Sequence, residues 1–507
     1  MLIVTDIHPN ISRVMTLKTL DGGKRHKRCK GVILTESPDD VRLFIENHLP
    51  IRVEKKNSNG EVFTPRDLVC KMLDTFPKDV WSNPKLRWID PACGVGNFPV
   101  EVFYRLDDGL HKKMPETQKR RHHIIRNMLY MVELDDRNYK AVRELFGDDA
   151  NIFHGSFLED KWKKTFGGEN TRYHVVIGNP PYNQGRTRRG GLPFWTKFVT
   201  ASLDILAPGG YICFVHPNGW RKTVKGRESS GDVWSHYRRN GHLVYLNMDN
   251  NERYKKQGFP IVDFYLWKQG NQCAGRCETV VDATLCNLHY KGELSLTQLP
   301  FIPNFVSPSV ISIIQKLEKV PKEDRLNVIH KQTFRASGKD TRKNKPANHN
   351  KTRSKGKRLK GNIPYAFVFD HKTKKYTMAY RSYVGSEGGK VDSDASCPKV
   401  VMTFKGPKEN GRLYPVFYEK PTATTDNTMY QCVYNKAQGE RLIKYLESDL
   451  VVALMRITQF TDRPNHRNDH YILNMLPDVA KKGVKPLPLT KTEEDVIKRI
   501  AKNGSTR

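Results

Sequence analysis

No apolar run in the chain approaches the ~20 residues that a bilayer-spanning helix needs. Mean hydropathy is −0.64, so an integral membrane protein is excluded. Acidic residues are scarce: 54 Asp and Glu stand against 86 Lys and Arg, a formal charge of +32 over 507 residues. Such self-repulsion is costly unless a polyanion shares the surface. Nucleic acid is the first partner this implies, and an acidic membrane surface the second. The nine cysteines are an odd number without a paired framework, which suits a reducing compartment. The nearest approach to a metal pattern is Cys273, Cys277, Cys286 and His289, whose intervals of three, eight and two residues are not those of a zinc module. Ordinary reduced cysteines are the favoured reading, and no metal is expected. The start, MLIVTDIHPNISRVM, has no basic segment before its apolar residues and no small-residue cleavage site, so no secretory signal is expected. There is no internal repeat.

What is present is organised along the chain. Residues 1–55 read as an arm, basic at Lys24-Arg25-His26-Lys27-Arg28. Pro38-Asp39 with Glu54-Lys55-Lys56 loosely resembles the acids of a nuclease, but the segment is too short to hold one. From about 60 to 270, apolar runs alternate with amphipathic stretches. The runs are Leu86–Asp90, Met128–Leu134, Asn151–His154, Tyr173–Ile177, Gly210–His216, Leu243–Met248 and Val262–Trp267. Helical spacing marks Asn97–Leu106, Arg137–Phe146 and Phe194–Leu206. The alternation predicts an α/β, Rossmann-like, doubly wound sheet of seven strands. The last two runs are joined by a polar link, which predicts a closing antiparallel pair. The catalytic unit is assigned to 56–295 and a basic connector to 296–361. Within that connector, 331–361 has too few apolar side chains to bury a core. Residues 362–507 are assigned to a second, mixed α/β domain. Its strand-like runs are Ala366–Phe369, Tyr376–Tyr383, Val400–Phe404 and Tyr414–Tyr418, and a helix is predicted over Gly439–Arg456.

Three segments carry chemistry. In Asp90-Pro91-Ala92-Cys93-Gly94-Val95-Gly96-Asn97-Phe98 an apolar strand ends in an acid, and two glycines lead into a helix. Glycines let backbone approach a ligand closely, and the helix start offers free N–H groups to it. The next run ends at Glu133, where a carboxylate accepts from both hydroxyls of a ribose. In Asn179-Pro180-Pro181-Tyr182 a buried strand runs into a loop stiffened by two prolines. The Asn179 amide oxygen and the Pro180 carbonyl are acceptors suited to one amino group. Tyr182 supplies an aromatic face.

With these residues in order, the chain resembles the S-adenosylmethionine-dependent N6-adenine DNA methyltransferases. Phe63-Thr64-Pro65 resembles the family's first motif, and Asp90–Phe98 its glycine motif. Glu133 falls on its ribose acid, and Asn179–Tyr182 on its catalytic tetrapeptide. Leu206-Ala207-Pro208-Gly209-Gly210 resembles the turn before its fifth strand. Phe259, in Gly258-Phe259-Pro260, resembles the site of an aromatic that stacks on the flipped base. Cofactor motif first and recognition domain last is the γ arrangement. Lys485-Pro486-Leu487-Pro488-Leu489 with its charged helix is similar to the tail of restriction–modification methyltransferases.

The resemblance implies S-adenosyl-L-methionine as cofactor, held by Thr64, Pro65, Asp90, Ala92, Gly94, Gly96, Phe98, Glu133, Leu134, Ser156, Phe157 and Asn179. It implies catalysis at Asn179, Pro180, Pro181 and Tyr182. It also implies double-stranded DNA as partner, a cognate restriction endonuclease as a possible second one, and a cytoplasmic bacterial or phage-type setting or the interior of a virus-infected host. Two departures stand out. Ser156 occupies the place of the family's acid for the cofactor adenine. A long insertion containing Lys119-Arg120-Arg121-His122-His123 separates Gly96 from Glu133, and it reads equally as a solvated face or a DNA contact. Arg186, Arg188 and Arg189 follow the catalytic loop and are placed to hold phosphates. Arg381, Arg463, His466 and Arg467 are the candidates for reading bases. An RNA base methyltransferase and a non-catalytic DNA-binding protein with a decayed fold remain as alternatives.

Overall fold

The computed structural model describes residues 31–34, 36–48, 63–182, 194–222, 233–248, 262–270, 278–285, 287–330, 358–370, 373–386, 397–403, 405–406, 411–420, 422, 428–458, 466–467 and 470–502. The elements of the first half are α1 (Pro38–His48), α2 (Arg66–Leu73), β1 (Trp88–Asp90), α3 (Asn97–Leu110), α4 (Thr117–His123), β2 (Leu129–Glu133), α5 (Asp136–Phe146), β3 (Asn151–His154), α6 (Lys161–Thr165), β4 (Tyr173–Gly178), α7 (Phe194–Asp204), β5 (Leu206–Pro217), α8 (Val233–Asn240), β6 (Gly241–Asn247) and β7 (Val262–Gln269). All seven expected strands form. β1 and β2 are buried at every position, as parallel strands covered on both faces must be.

The sheet runs β3-β2-β1-β4-β5-β7-β6 and then adds β8 (Glu278–Leu285) and β9 (Leu288–Ser295), nine strands in all. β1 to β5 pair in parallel. β7 lies antiparallel between β5 and β6, so the closing pair forms as expected. The count of seven is corrected by the β8–β9 hairpin, which pairs through β8 with β6. Its half-buried alternation, seen in β8 as buried positions separated by half-buried ones, is weaker than the solid apolar runs of the central strands.

Local sequence explains the helix starts. Asp135 caps α5 by accepting from the amides of Arg137 and Asn138 at 3.0 and 3.3 Å. Ser307, followed by Pro308, caps α9 (Pro308–Glu318) by accepting from the amide of Val310 at 3.3 Å. Within the stretch assigned as a basic connector, Leu296, Leu299, Phe301, Ile302, Phe305 and Val306 are buried, and α9 follows.

Further along lie β10 (Arg358–Asp370), β11 (Lys375–Ser386), β12 (Lys399–Thr403), β13 (Lys405–Gly406), β14 (Val416–Tyr418), β15 (Thr428–Cys432), α10 (Lys436–Leu446), α11 (Asp449–Ile457), β16 (His466–Arg467), α12 (His470–Leu473) and α13 (Lys491–Lys502). This half is mixed α/β, as expected. Residues 358–361, the end of the stretch read as too poor in apolar side chains to bury a core, belong to β10, which pairs with β11. The helix expected over Gly439–Arg456 is two helices, because Ser448 adopts an extended backbone at the N-cap of α11. Cys397 and Cys432 form a disulfide, which corrects the reading of all cysteines as unpaired. They lie at neighbouring ends of the antiparallel pair β12–β15, where Lys399 faces Cys432. Among the described residues no helix is long and apolar enough to cross a membrane.

One hydrophobic cluster joins the two halves. Ile89, Val176, Phe214 and Trp267 of the sheet share it with Ile314 of α9, Leu454 of α11 and Ile497 of α13. The join is reinforced at Arg221, buried with Asp263. The guanidinium donates to Asp263 at 2.7 Å, to the Pro303 carbonyl at 2.6 Å and to Asn304 Oδ1 at 2.9 Å. The Asn304 amide in turn donates to the Ile457 carbonyl at 2.6 Å. Burial opposes both charges, lowering the Arg221 pKa and raising that of Asp263, and each partner offsets it for the other.

Candidate active site

The strand order reverses between β1 and β4, which are hydrogen-bonded neighbours. Ligands of open α/β sheets bind at the carboxyl ends of strands beside such a reversal. Asp90 ends β1, Glu133 ends β2, and Asn179 follows β4. Topology alone therefore brings the three sequence segments to one edge.

The glycine turn is tightly built. Asp90 Oδ1 accepts from the Ala92 amide at 3.0 Å. The Cys93 amide donates to the Val132 carbonyl at 3.1 Å. Gly96, with φ 98°, is the N-cap of α3. Gly94, with φ 57°, faces open space: a Cβ there would meet nothing within 4 Å. Glu133 ties the turn to the next one. Its Oε2 accepts from the Gly94 amide at 2.8 Å and its Oε1 from the Asp135 amide at 2.7 Å. Leu134 beside it is 69% exposed, an apolar shelf at the strand end.

Asp90 is 2% exposed. Its Oδ2 is buried and meets no donor among the described residues. Burial, reinforced by the nearby charge of Glu133, pushes its carboxyl up to about 8, against the opposing hydrogen bond from Ala92. A buried carboxyl oxygen without a partner among the described residues, an open glycine cradle and an exposed apolar shelf fit a ligand that carries a cationic amino group, a ribose and a flat ring.

Asn179 emerges beside Asp90. Gly178 has φ 154°, and a Cβ there would lie 2.7 Å from Asp90 Oδ1. The Asn179 Nδ2 donates to Thr64 Oγ1 at 2.9 Å, so the segments 63–65 and 179–182 touch. The Asn97 Nδ2 donates to the Thr64 carbonyl at 3.4 Å. Pro65, extended at φ −61° and ψ 145°, begins α2.

Other predicted residues sit differently. Phe98 is buried in the core on α3. Tyr182 is 3% exposed and packed in the same cluster. Phe157 is buried and stacked on Trp162 and Phe198 at 5.1 and 5.7 Å. Ser156 Oγ accepts from the Leu158 amide at 3.2 Å, so its hydroxyl braces its own loop. Of the basic insertion, Arg120 and Arg121 donate to Asp107 at 2.6 and 2.8 Å, and the insertion precedes the amino end of β2. Residues 119, 122 and 126 line an open depression of about 510 Å³ there, across the sheet from Asn179. Arg186, Arg188, Arg189 and Phe259, the cysteines at 273, 277 and 286, and Arg463 lie outside the described residues, as do the side chains of Arg381, His466 and Arg467. His289 Nε2 donates to Asp282 Oδ1 at 2.9 Å. Among the described residues no group of three or more His, Cys, Asp or Glu is placed to hold a metal.

Sequence reasoning missed the buried set behind the site. His216, at the end of β5, stacks on Trp195 at 4.2 Å and hydrogen-bonds Tyr265 at 2.9 Å. Burial pushes its pKa down to about 3, so it is neutral. An isolated His in an apolar run gives no signal of such packing.

Residues 64–236 match the model of the family described as Eco57I restriction-modification methylase. An uncharacterized adenine-specific methylase of Mycoplasma pneumoniae is 38% identical over 108 residues, 21% of this chain and 26% of that protein. The type II methyltransferase M.VspI of a Vibrio species is 23% identical over 177 residues, 32% and 37% of the two chains. The type IIL restriction-modification enzyme MmeI, solved in complex with DNA, covers 91% of this chain and 78% of its own at 10% identity and a TM-score of 0.47. The matched stretches thus span 26% and 37% of the two curated relatives' own lengths. The likeness is to restriction–modification and adenine-specific methylases, and the family match over 64–236 spans the stretch that builds the site.

Proposed function

We propose that the chain is a site-specific DNA adenine-N6 methyltransferase that uses S-adenosyl-L-methionine and acts on a flipped adenine in duplex DNA. The observation that carries this reading is the contact between Thr64 and Asn179 at 2.9 Å, beside the turn held by Glu133. It supports reading Thr64 with the cofactor and Asn179 with the amino group, side by side at one strand edge.

When bound, the cofactor supplies an electrophilic methyl on a sulfonium. The cradle assigned to it is Asp90, Ala92, Gly94, Gly96, Glu133 and Leu134, with Thr64 and Pro65 on the other side. Glu133 keeps acceptor capacity for ribose hydroxyls, since each carboxylate oxygen takes more than one hydrogen bond. Asn179 and the Pro180 carbonyl accept the two hydrogens of the adenine amino group. That favours a tetrahedral nitrogen and exposes its lone pair, which is otherwise delocalised into the ring. The remaining contribution is positioning, worth several kcal/mol. Asn179 is neutral and holds the nitrogen; water takes the proton. Swinging the base out costs a few kcal/mol, which stacking on aromatic side chains offsets. Phe259 is assigned to that stacking, and Tyr182 keeps the loop seated. Arg186, Arg188 and Arg189 with the basic run before β10 hold phosphates, and residues 362–507 read the sequence. The division into 1–55, 56–295, 296–361 and 362–507 belongs to this proposal, as does a partner endonuclease.

Expression in a host lacking adenine methylation, followed by sequencing that reads methylated bases, tests the reading. The expected result is N6-methyladenine at one short motif, absent with Asn179→Ala. An unmodified genome with folded, cofactor-binding protein would overturn it.

A further inference from the structure

We propose that the ribbon β10–β11 is the element that enters the major groove of the DNA and that Arg381 on it reads a base. This rests on the reading of the chain as a DNA methyltransferase, and it narrows sequence reading from residues 362–507 to one element. β10 and β11 form a sheet of two strands, with no third strand among the described residues. From Ala366–Met378 to Arg358–Ser386 their pairing is unbroken, a length of about 30 Å at the usual strand rise. Such a ribbon is marginal in water unless a face is covered.

One face is covered near the turn. Tyr376 is 3% exposed, clusters with Val401 of β12 and Tyr430 of β15, and donates to the Tyr414 carbonyl at 3.0 Å. The register shifts between Ala366 and Phe369 of β10, opposite Thr377. The extra residue is therefore in β10, and alternation along β11 is kept. Alternate positions share a face, so Met378, Tyr380 and Ser382 fall on the face of Tyr376. Thr377, Ala379, Arg381 and Tyr383 fall on the other face, and the positions opposite the last three are Tyr365, Ile363 and Gly361. That second face interleaves Arg381 with Tyr365 and Tyr383. A glycine within a strand marks a place where another molecule comes close.

Charge says what covers this face. Over 358–386, Arg358, Lys360, Lys372, Lys374, Lys375 and Arg381 stand against Asp370 alone. The neighbouring pair repeats the sign. Lys405, two residues beyond the end of β12, lies directly opposite Arg467 in β13–β16. Like charges directly opposite each other are unfavourable in a free protein, and a phosphate between them makes the pairing favourable. A duplex is the polyanion that fits. Its major groove, about 12 Å wide, admits a two-stranded ribbon, and an Arg within it pairs with guanine through two hydrogen bonds. Lys405 and Arg467 then take a backbone phosphate.

The test starts from the motif that the natural protein methylates, mapped by sequencing of modified bases. Initial rates with labelled S-adenosylmethionine give kcat/KM on duplexes carrying that motif and each of its single-base changes. Binding at several salt concentrations gives the salt slope, and melting temperature checks folding. Arg381→Ala is expected to cut discrimination ~10- to 100-fold at one position of the motif and to leave the other positions within about threefold. Ser382→Ala, on the opposite face, is expected to leave every position within about threefold. Arg467→Ala is expected to weaken binding to all duplexes alike and to lower the salt slope by about one. Natural discrimination at every position in Arg381→Ala would overturn the ribbon as reader, and so would an equal loss in Ser382→Ala. An unchanged salt slope in Arg467→Ala would overturn the phosphate contact. A natural protein that methylates no DNA would instead overturn the proposed function, and this reading with it.

Discussion

Replacing Gly178 by Ala perturbs the site at its most crowded point. The added Cβ would lie 2.7 Å from Asp90 Oδ1 and 3.2 Å from its Cγ, at a backbone φ of 154° that side chains rarely adopt. Comfortable contacts with carbon begin near ~3.5 Å, so a displacement of roughly 0.8 Å is required by that spacing. Asp90 resists it, because its Oδ1 holds the Ala92 amide at 3.0 Å. β4 resists it too, paired with β1 at Ile89–Val176 and with β5 at Gly178–Phe214. The shift therefore falls on the residue after Gly178, which is Asn179. A 1 Å misplacement of a reacting group costs on the order of 10²-fold in rate, and strained backbone costs ~1–3 kcal/mol in stability. Initial rates at saturating cofactor and DNA, with melting temperature alongside, measure both. Gly219, around which a Cβ would meet nothing within 4 Å, is the control, and Gly219→Ala is expected to leave both unchanged. A Gly178→Ala protein with the natural kcat would refute the placement of Asn179 against Asp90.

Arg221→Met leaves Asp263 buried without its guanidinium, and a loss of ~3–5 kcal/mol in urea unfolding is expected; a loss below ~1 kcal/mol would show that the buried contacts of Arg221 carry little of the stability. Asp90→Asn tests the raised carboxyl. A pKa of about 8 against an ordinary 3.8 means that the folded state keeps its proton while the unfolded state loses it, so stability is lost as pH rises between those values and the loss is complete above about 8. Without cofactor the variant should match the natural protein near ~pH 4 and exceed its melting temperature near ~pH 9, and parallel pH profiles would contradict a buried, unsatisfied carboxyl. The Cys397–Cys432 bond closes 35 residues. Oxidised protein should lose melting temperature on reduction, and Cys432→Ser should not respond.

The central strands were legible because parallel strands buried on both faces leave solid Val- and Ile-rich runs; Tyr173–Ile177 was read to within one residue of β4. β8 and β9 were not, because a half-solvated edge hairpin alternates, and its turn at Asn287, φ 59°, lacks the glycine that marks most such turns. The split between α10 and α11 was signalled by Ser448-Asp449, a capping pair set inside an apolar periodicity that outweighed it. At the candidate site, Asp90, Glu133 and Asn179 were picked out because each ends or directly follows a strand. Their mutual geometry was not. Thr64 and Asn179 are 115 residues apart, Cys397 and Cys432 have no local pattern, and the charge of Arg120 and Arg121 reads the same whether it faces solvent or Asp107. Buried rings such as Tyr182 and Phe157 likewise look identical in sequence to rings that face a ligand.

Methyl transfer from labelled S-adenosylmethionine to unmethylated duplex DNA, with duplex RNA and Asn179→Ala in parallel, tests the central claim most directly. The account predicts label on adenine N6 in DNA alone, abolished by Asn179→Ala. Label on RNA instead, or transfer that survives Asn179→Ala, would contradict it.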